Sequence, residues 1–138
     1  MIFDLRIYTM HPGKTAAWLK LYEQVAFPVQ RKYLGDPVVV ATSEVGPLNQ
    51  VVHMWKYDSM ADREKRRDAL AADPAWPEYL KKSAELGTVQ SQENRILKAA
   101  SFSPLKGSGG PPWPQSAFAS SPFRRGPTSA SSPSWPSR

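Results

Sequence analysis

The sequence contains no cysteine, and this absence removes several kinds of chemistry at once. Disulfide bonds, thiolate metal sites and a cysteine nucleophile are all excluded. Histidine is also scarce, since His11 and His53 are the only two and neither lies in an HExxH pattern. Acidic calcium-loop patterns are missing as well, so we expect no dedicated metal site.

Motifs that bind nucleotide cofactors or carry a hydrolase nucleophile are missing too. The sequence has no GxGxxG, no GxxxxGK[ST] and no GxSxG pattern that opens a helix after a strand. We therefore expect no cofactor. Any catalysis by this chain would depend on its own polar side chains and on the reactivity of the substrate.

Long apolar runs are absent, and none approaches the ~20 residues that a membrane-spanning helix needs. The first ten residues, MIFDLRIYTM, alternate apolar and polar side chains and include Asp4, which is not the pattern of a signal peptide. These features predict a cytoplasmic protein without membrane insertion.

The formal charge of +6 and the pI near 9.7 are values at which nucleic-acid binding has to be considered. Four of the 18 basic residues, however, lie in residues 106–138, a segment without any acid, and they form no cluster. Residues 1–105 hold all 12 acidic residues and are nearly neutral. Dispersed cations bind phosphate weakly, so we expect no nucleic-acid partner.

Composition divides the chain after residue 105. Residues 106–138 contain seven of the 14 prolines together with many serines and glycines, and they lack hydrophobic periodicity. Such a segment buries too little apolar surface to offset the entropy of ordering, so it is predicted to be a disordered tail. A Pro-rich docking peptide and an end translated from non-homologous or vector sequence remain alternatives.

Residues 1–105 carry the periodicities of a mixed α+β domain. The order is βαββαβ, that of a ferredoxin-like fold whose four-stranded sheet has helices on one face only. A monomer rarely exposes an apolar sheet face, so we expect a homodimer joined sheet to sheet. The predicted elements are strands at 2–10, 38–45, 50–57 and 88–98, a helix at 14–33 that Pro28 kinks or divides, a helix from the Ser59 cap to residue 72, and a helical piece at 75–86.

Strand alternation divides the side chains of the first and third strands between two faces. The wholly apolar set, Phe3, Leu5 and Ile7, is expected under the helices, together with Val52 and Met54. The opposite sets would then point to the open face, where the two strands are central neighbours. Those residues are Asp4, Arg6, Tyr8, His53, Trp55 and Tyr57.

This aromatic and polar cluster is typical of a pocket for a small aromatic or carbonyl compound. The candidate catalytic residues are His53 as acid or base, with Tyr8 and Tyr57 as hydrogen-bond donors to a developing oxyanion. Arg6 is the candidate anion anchor, and Trp55 is a candidate ligand-binding residue.

Arg63 is a further ligand-binding candidate, because it lies one helical turn before Arg67 and the two could share an anion. Each candidate also has a structural explanation. His53 could be a hydrogen-bonded residue of a half-buried strand, Arg6 could pair with Asp4, and the aromatic residues could fill a dimer interface. The charged run 62–68 could be a solvated helix face.

Four segments of the chain resemble the NIPSNAP family: LRIYTMHPGK, EVGPLNQVVHMWKYDSMADREKRR, DPAWPEYLKK and SQENRILKAASFSPL. The resemblance covers essentially residues 2–105 in order, in the manner of single-domain bacterial members. The resemblance implies a dimeric α+β barrel, in which two ferredoxin-like sheets face each other. It implies no particular activity, so a cofactor-independent enzyme or ligand binder and a non-catalytic protein-interaction module both stay open.

Overall fold

In the computed structural model, residues 1–105 are described; the predicted tail, 106–138, lies outside the described residues. The strands are β1 (Ile2–Met10), β2 (Val39–Thr42), β3 (Gln50–Tyr57) and β4 (Val89–Lys98). The helices are α1 (Thr15–Leu21), α2 (Phe27–Leu34), α3 (Met60–Ala72) and α4 (Ala75–Leu86), and a π-helical segment (Tyr22–Ala26) joins α1 to α2. The predicted element order is confirmed, although β2 is shorter than expected.

The four strands form one antiparallel sheet in the order β2-β3-β1-β4. β1 and β3 are the central neighbours, as predicted, and Arg6 lies directly opposite His53. On the other side of β1, Arg6 lies opposite Asn94 of β4. Residues paired in this way share a face of the sheet, so the register determines which side chains can meet. The predicted ferredoxin-like α+β fold is confirmed at this level.

The alternation of side chains is as predicted, but the two faces are exchanged. The polar and aromatic set faces the helices: Tyr8 contacts Trp18 of α1, and the ring centroids of His53 and Tyr22 are 5.7 Å apart. Buried polar groups are tolerated where they are paired, and here the helices supply partners. Arg63 of α3, for example, lies 2.9 Å from the carboxylate of Asp4.

The open face of the sheet therefore carries the apolar set. Its members are Leu5, Ile7, Val52 and Met54, which are half-buried, and Val39 and Leu97, which are exposed. Phe3 belongs to this face by register but is buried, and it shares a hollow with Leu105 at the end of the described chain.

The helical region 15–34 is divided, as Pro28 predicted, but by one wide turn. The amide of Phe27 donates to the carbonyl of Tyr22, five residues earlier, which is the π-helical hydrogen bond. Pro28 then falls in the first turn of α2, where its missing N–H leaves no helical bond unmade.

Side chains and glycine set the ends of the later helices. The hydroxyl of Ser59 accepts a hydrogen bond from the amide of Asp62 at 3.1 Å, which begins α3 as predicted. Gly87, in the left-handed conformation with φ at 59°, ends α4. No helix within residues 1–105 has both the length and the apolar composition to cross a bilayer.

Two apolar clusters fill the space between helices and sheet. One contains Met10, Trp18, Tyr22, Ala26, Val51 and Tyr79, and the other contains Leu34, Trp55, Tyr57 and Leu70. Along β3, His53 lies between Val51 of the first cluster and Trp55 of the second. The polar side chains of β1 and β3 thus occupy the gap between two hydrophobic cores.

Candidate functional site

A cavity of about 280 Å³ lies in this gap, between the sheet and the helices. Its walls combine aromatic rings with polar and cationic groups: Arg6, Tyr8, Trp18, Tyr22, Gln30, His53, Arg67, Trp76, Tyr79, Leu80, Ser83 and Gln92. A larger groove of about 520 Å³ runs between α1 and α4, but its polar groups are exposed side chains such as Lys20 and Glu85. The smaller cavity holds the concentrated buried polarity that a specific site requires.

A buried carboxylate surrounded by three arginines lies beside this cavity. Asp4 is fully buried, and its oxygens lie 3.3 Å from Arg6 Nε and 2.9 Å from Arg63 Nε. The third cation, Arg67, is farther away, with Nη1 at 3.8 Å from Oδ2. That separation is beyond hydrogen-bond length, so Arg67 interacts with Asp4 through charge alone.

Each of the three guanidinium nitrogens of Arg6 contacts a protein group. Besides its contact with Asp4, its Nη1 donates to the hydroxyl of Tyr8 at 2.9 Å. With the Asn94 amide turned so that its oxygen faces β1, Nη2 donates to that oxygen at 2.8 Å. The ion pair between Arg6 and Asp4 that sequence spacing suggested is confirmed. Arg6 thus links Asp4 and Tyr8 of β1 to Asn94 of β4.

His53 is held in a single neutral form. The indole Nε1–H of Trp55 donates to His53 Nδ1 at 3.1 Å, so the ring proton of the neutral imidazole lies on Nε2. Burial, with smaller contributions from the charges of Arg6 and Arg67, lowers the pKa of His53 to about 3, and Asp4 acts in the opposite direction. The ring therefore presents a donor, which differs from the acid or base role expected from the sequence.

The Nε2–H of His53 is buried and has no hydrogen-bond partner among the described residues. The structural explanation for His53, with both ring nitrogens bonded inside the protein, therefore applies only to Nδ1. An unpaired buried donor costs free energy. His53 is a wall residue of the cavity, so a bound molecule is a candidate acceptor for this donor.

The phenols of the cavity wall are also donors. The hydroxyl of Tyr8 accepts from Arg6, which leaves its own proton free for another acceptor. Tyr22 donates to the side-chain oxygen of Gln30, and burial raises the pKa of Tyr22. Burial likewise raises the pKa of Tyr79 to about 12. Tyr22 and Tyr79 therefore keep their protons at neutral pH.

The six residues predicted from the sequence are separated by the fold. Arg6, Tyr8 and His53 line the cavity, and Trp55 lies behind His53, where it fixes the imidazole. Tyr57 is buried in the second apolar cluster, outside the cavity walls, and its hydroxyl has no partner within residues 1–105. Arg63 holds Asp4 and is not a wall residue.

Sequence reasoning undervalued Arg67 and missed Tyr22 and Gln30. The side chains of Arg63 and Arg67 point inward, with about a fifth of each exposed, so the solvated-face explanation of run 62–68 is wrong for these two. A signal for this was present, because the buried Leu70 follows Arg67 by three residues and therefore lies on the same helix face.

Within the described part of the chain, no three histidine, aspartate or glutamate side chains lie close enough together to hold a metal ion. The candidate site consists of aromatic rings and hydrogen-bond donors. Groups of this kind can bind and polarise an electron-rich oxygen.

Comparison with known proteins extends these findings. The NIPSNAP family model matches residues 3–104. Protein NipSnap homolog of Dictyostelium discoideum is 37% identical over 92 residues, and the match covers 66% of this chain and 40% of that protein. Protein NipSnap of Drosophila melanogaster is 28% identical, with 75% and 36% covered. The chain thus spans well under half the length of these relatives.

Solved structures include shorter proteins that match along nearly their whole length. A NIPSNAP family protein from Agrobacterium tumefaciens is 38% identical with a TM-score of 0.71, and the match covers 76% of this chain and 98% of that one. An antibiotic biosynthesis monooxygenase shares the fold alone, at 13% identity and a TM-score of 0.52, with 72% and 99% covered. By sequence and by fold, the chain belongs to the NIPSNAP family.

Proposed function

We propose that the protein binds a small aromatic or carbonyl compound in the cavity between sheet and helices, without a cofactor. The single observation that carries this proposal is the His53 imidazole. Its proton is fixed on Nε2 by the Trp55 hydrogen bond, and this Nε2–H is a buried donor of a cavity-wall residue with no partner in residues 1–105. A carbonyl oxygen would satisfy this donor.

The aromatic walls support a flat ligand. Trp18 and Tyr22 stack at 4.6 Å between ring centroids, and Trp76 and Tyr79 lie 5.2 Å apart on α4. Such surfaces bind unsaturated rings through large contact areas at fixed geometry. The ligand's oxygen would then accept hydrogen bonds from His53 and Tyr8 at the sheet.

The same donors define the chemistry that the site could perform. Two aligned donors stabilise an oxyanion as it develops on a carbonyl or phenol oxygen. The cavity walls, within the described chain, include no aspartate or glutamate, so they offer no carboxylate base. We therefore propose ligand binding with oxygen polarisation as the primary function, and any turnover would use the substrate's own acidity.

A ligand titration tests this proposal. Small aromatic ketones, phenols and carboxylates would be titrated into wild type, His53→Phe and His11→Gln, with Kd values from ¹⁵N NMR shifts. His53→Phe keeps a ring but removes the Nε2–H, while His11 is an exposed turn residue that serves as the control. A hydrogen bond of about 1.4 kcal/mol corresponds to a tenfold loss of affinity in His53→Phe only. Equal affinities in all three proteins, or no binding at all, would refute the proposal.

We also infer that two copies associate through the open sheet face, as the α+β barrel would require. The support is the apolar set on that face, which a monomer would leave in water. Such an interface is also what a non-catalytic interaction module would use, and a ligand with a His53-dependent affinity distinguishes the two functions.

Light scattering at micromolar concentration tests the dimer. Met54→Lys places a charge at the centre of the open face, while Leu86→Lys places one at an exposed position on α4 and serves as the control. We expect a dimer mass for wild type and Leu86→Lys and a monomer mass for Met54→Lys. A monomeric wild-type protein would contradict the inference.

A further inference from the structure

We propose that the ligand of this cavity carries a carboxylate and that Arg67 is the residue that binds it. This inference rests on the proposed function, because it assigns a chemical class to the molecule that the same cavity would hold. Of the arginines that the sequence offered for an anion, it assigns the contact to Arg67 and not to Arg6 or Arg63.

Several groups of the cavity wall can donate without a committed acceptor within residues 1–105. They include the hydroxyl of Tyr8, and two of them, the Nε2–H of His53 and the Nη1 of Arg67, are buried atoms of wall residues. Arg67 Nη1 is buried and has no hydrogen-bond partner in the part of the chain that the structure describes. A carboxylate has two oxygens with about four acceptor sites, so it can accept from several of these donors at once.

The charges in the cluster around Asp4 do not balance. Asp4 is the one carboxylate among Arg6, Arg63 and Arg67, and the neutral His53 contributes no charge. The cluster therefore has more positive than negative charge in a region largely shielded from water. Uncompensated charge there is costly, and a ligand carboxylate would offset part of it.

The arginines near Asp4 differ in how far their nitrogens are committed to partners within residues 1–105. Arg6 and Arg63 both donate directly to Asp4 through Nε. Arg66, next in sequence, turns away and binds Asp62 at 2.8 Å and the carbonyl of Leu34 at 3.3 Å. Arg67 makes no such commitment through Nη1, and it lines the cavity.

The position of Arg67 fits a shared ligand contact. The charge of Arg67 acts on both His53 and Tyr22, which are cavity residues from β3 and the π-helical segment. A carboxylate bound by Arg67 would lie in the cavity that His53 and Tyr8 also line, and the aromatic walls would be left for an unsaturated body. The expected ligand class is a small aromatic or α,β-unsaturated carboxylate.

Matched pairs of probes test the inference: benzoate with benzamide, phenylacetate with phenylacetamide, and cinnamate with cinnamamide. Each pair keeps the ring and changes the charge. Dissociation constants would be measured by NMR titration at one ionic strength for wild type, Arg67→Gln, Arg67→Lys and Lys65→Gln. Lys65 lies on the exposed side of α3, so Lys65→Gln removes the same charge away from the cavity.

We expect the carboxylate of at least one pair to bind wild type at least tenfold more tightly than its amide. Arg67→Gln should reduce that preference to less than threefold, Lys65→Gln should keep it, and Arg67→Lys should keep part of it. Circular dichroism would verify folding, and the Arg67→Lys result would decide the case if Arg67→Gln does not fold.

Two results would overturn the inference: equal affinity for carboxylate and amide in wild type, or a preference that survives the loss of Arg67. If the amides bind with a His53-dependent affinity, the proposed function stands and only the carboxylate assignment fails. If none of the six compounds binds, both proposals fail.

Discussion

The buried neutral His53 makes the stability of the fold depend on pH. Its pKa is about 3 in the folded protein and 6.5 in an unfolded chain. Above pH 6.5 neither state binds the proton, so this contribution to stability is fully present. Between pH 6.5 and 3 the unfolded state binds a proton that the folded state does not, and the unfolding free energy falls as the pH falls.

The magnitude follows from the two pKa values. The whole window corresponds to about 5 kcal/mol, since one pKa unit is worth about 1.4 kcal/mol. Between pH 7 and pH 5 alone, the linkage relation gives a loss of about 2 kcal/mol. That is a large part of the margin by which a small domain is stable.

Urea unfolding followed by tryptophan fluorescence at pH 7, 6 and 5 would measure this loss. His53→Gln cannot titrate at this position. Between pH 7 and pH 5, we therefore expect the unfolding free energy of wild type to fall by about 2 kcal/mol more than that of His53→Gln. His11→Gln should keep the wild-type pH dependence. All proteins would be compared at one concentration, because association adds to stability. An identical decrease in wild type and His53→Gln would refute the reasoning.

Three other substitutions test the site and its frame. Asp4→Asn leaves three arginines around a neutral amide and should lower the unfolding free energy by about 3 kcal/mol, whereas Asp36→Asn, in the exposed pair with Arg31, should leave the urea midpoint unchanged. Trp55→Phe removes the hydrogen bond to His53 Nδ1, so ¹⁵N NMR should show a mixture of imidazole tautomers in place of the single Nε2–H form. Gly87→Ala forces a side chain into the left-handed conformation and should cost about 1 kcal/mol in urea unfolding.

Much of the fold followed from local patterns. The strands at 2–10 and 50–57 have the predicted bounds, because alternation over eight or nine residues is a strong signal. The second strand ends at Thr42, earlier than predicted. Gly46 and Asn49 adopt positive φ in the loop that follows, and β-branched composition alone does not show where such a loop begins.

The exchanged sheet faces show what local patterns omit. Alternation indicates which residues share a face, but the face that the helices cover depends on partners that are distant in sequence. Asp4 is buried because Arg63, 59 residues later, reaches it from α3. A rule that places the most apolar set under the helices cannot anticipate such a pairing.

For the same reason, the candidate site could be predicted only in part from the sequence. Arg6, Tyr8 and His53 were brought together correctly, because strand register alone makes them neighbours. Arg67 and Gln30 come from helices, and the side that each presents depends on how the helix docks. Sequence patterns do not determine the rotation of α2, because it depends on the wide turn that precedes the helix.

That wide turn places a constraint on the length of the chain. Tyr22 and Gln30 are eight residues apart and still meet, whereas in a regular helix about seven residues complete two turns. The π-helical segment therefore adds one residue to the regular helical repeat. Removing one of residues 23–26 would leave α1 and α2 with the same sides toward the sheet. Pro28 would then lie inside an unbroken helix and collide with the carbonyl four residues earlier. We expect the single-residue deletion to be tolerated only together with Pro28→Ala, so that relatives should gain or lose the extra residue and the proline as a pair.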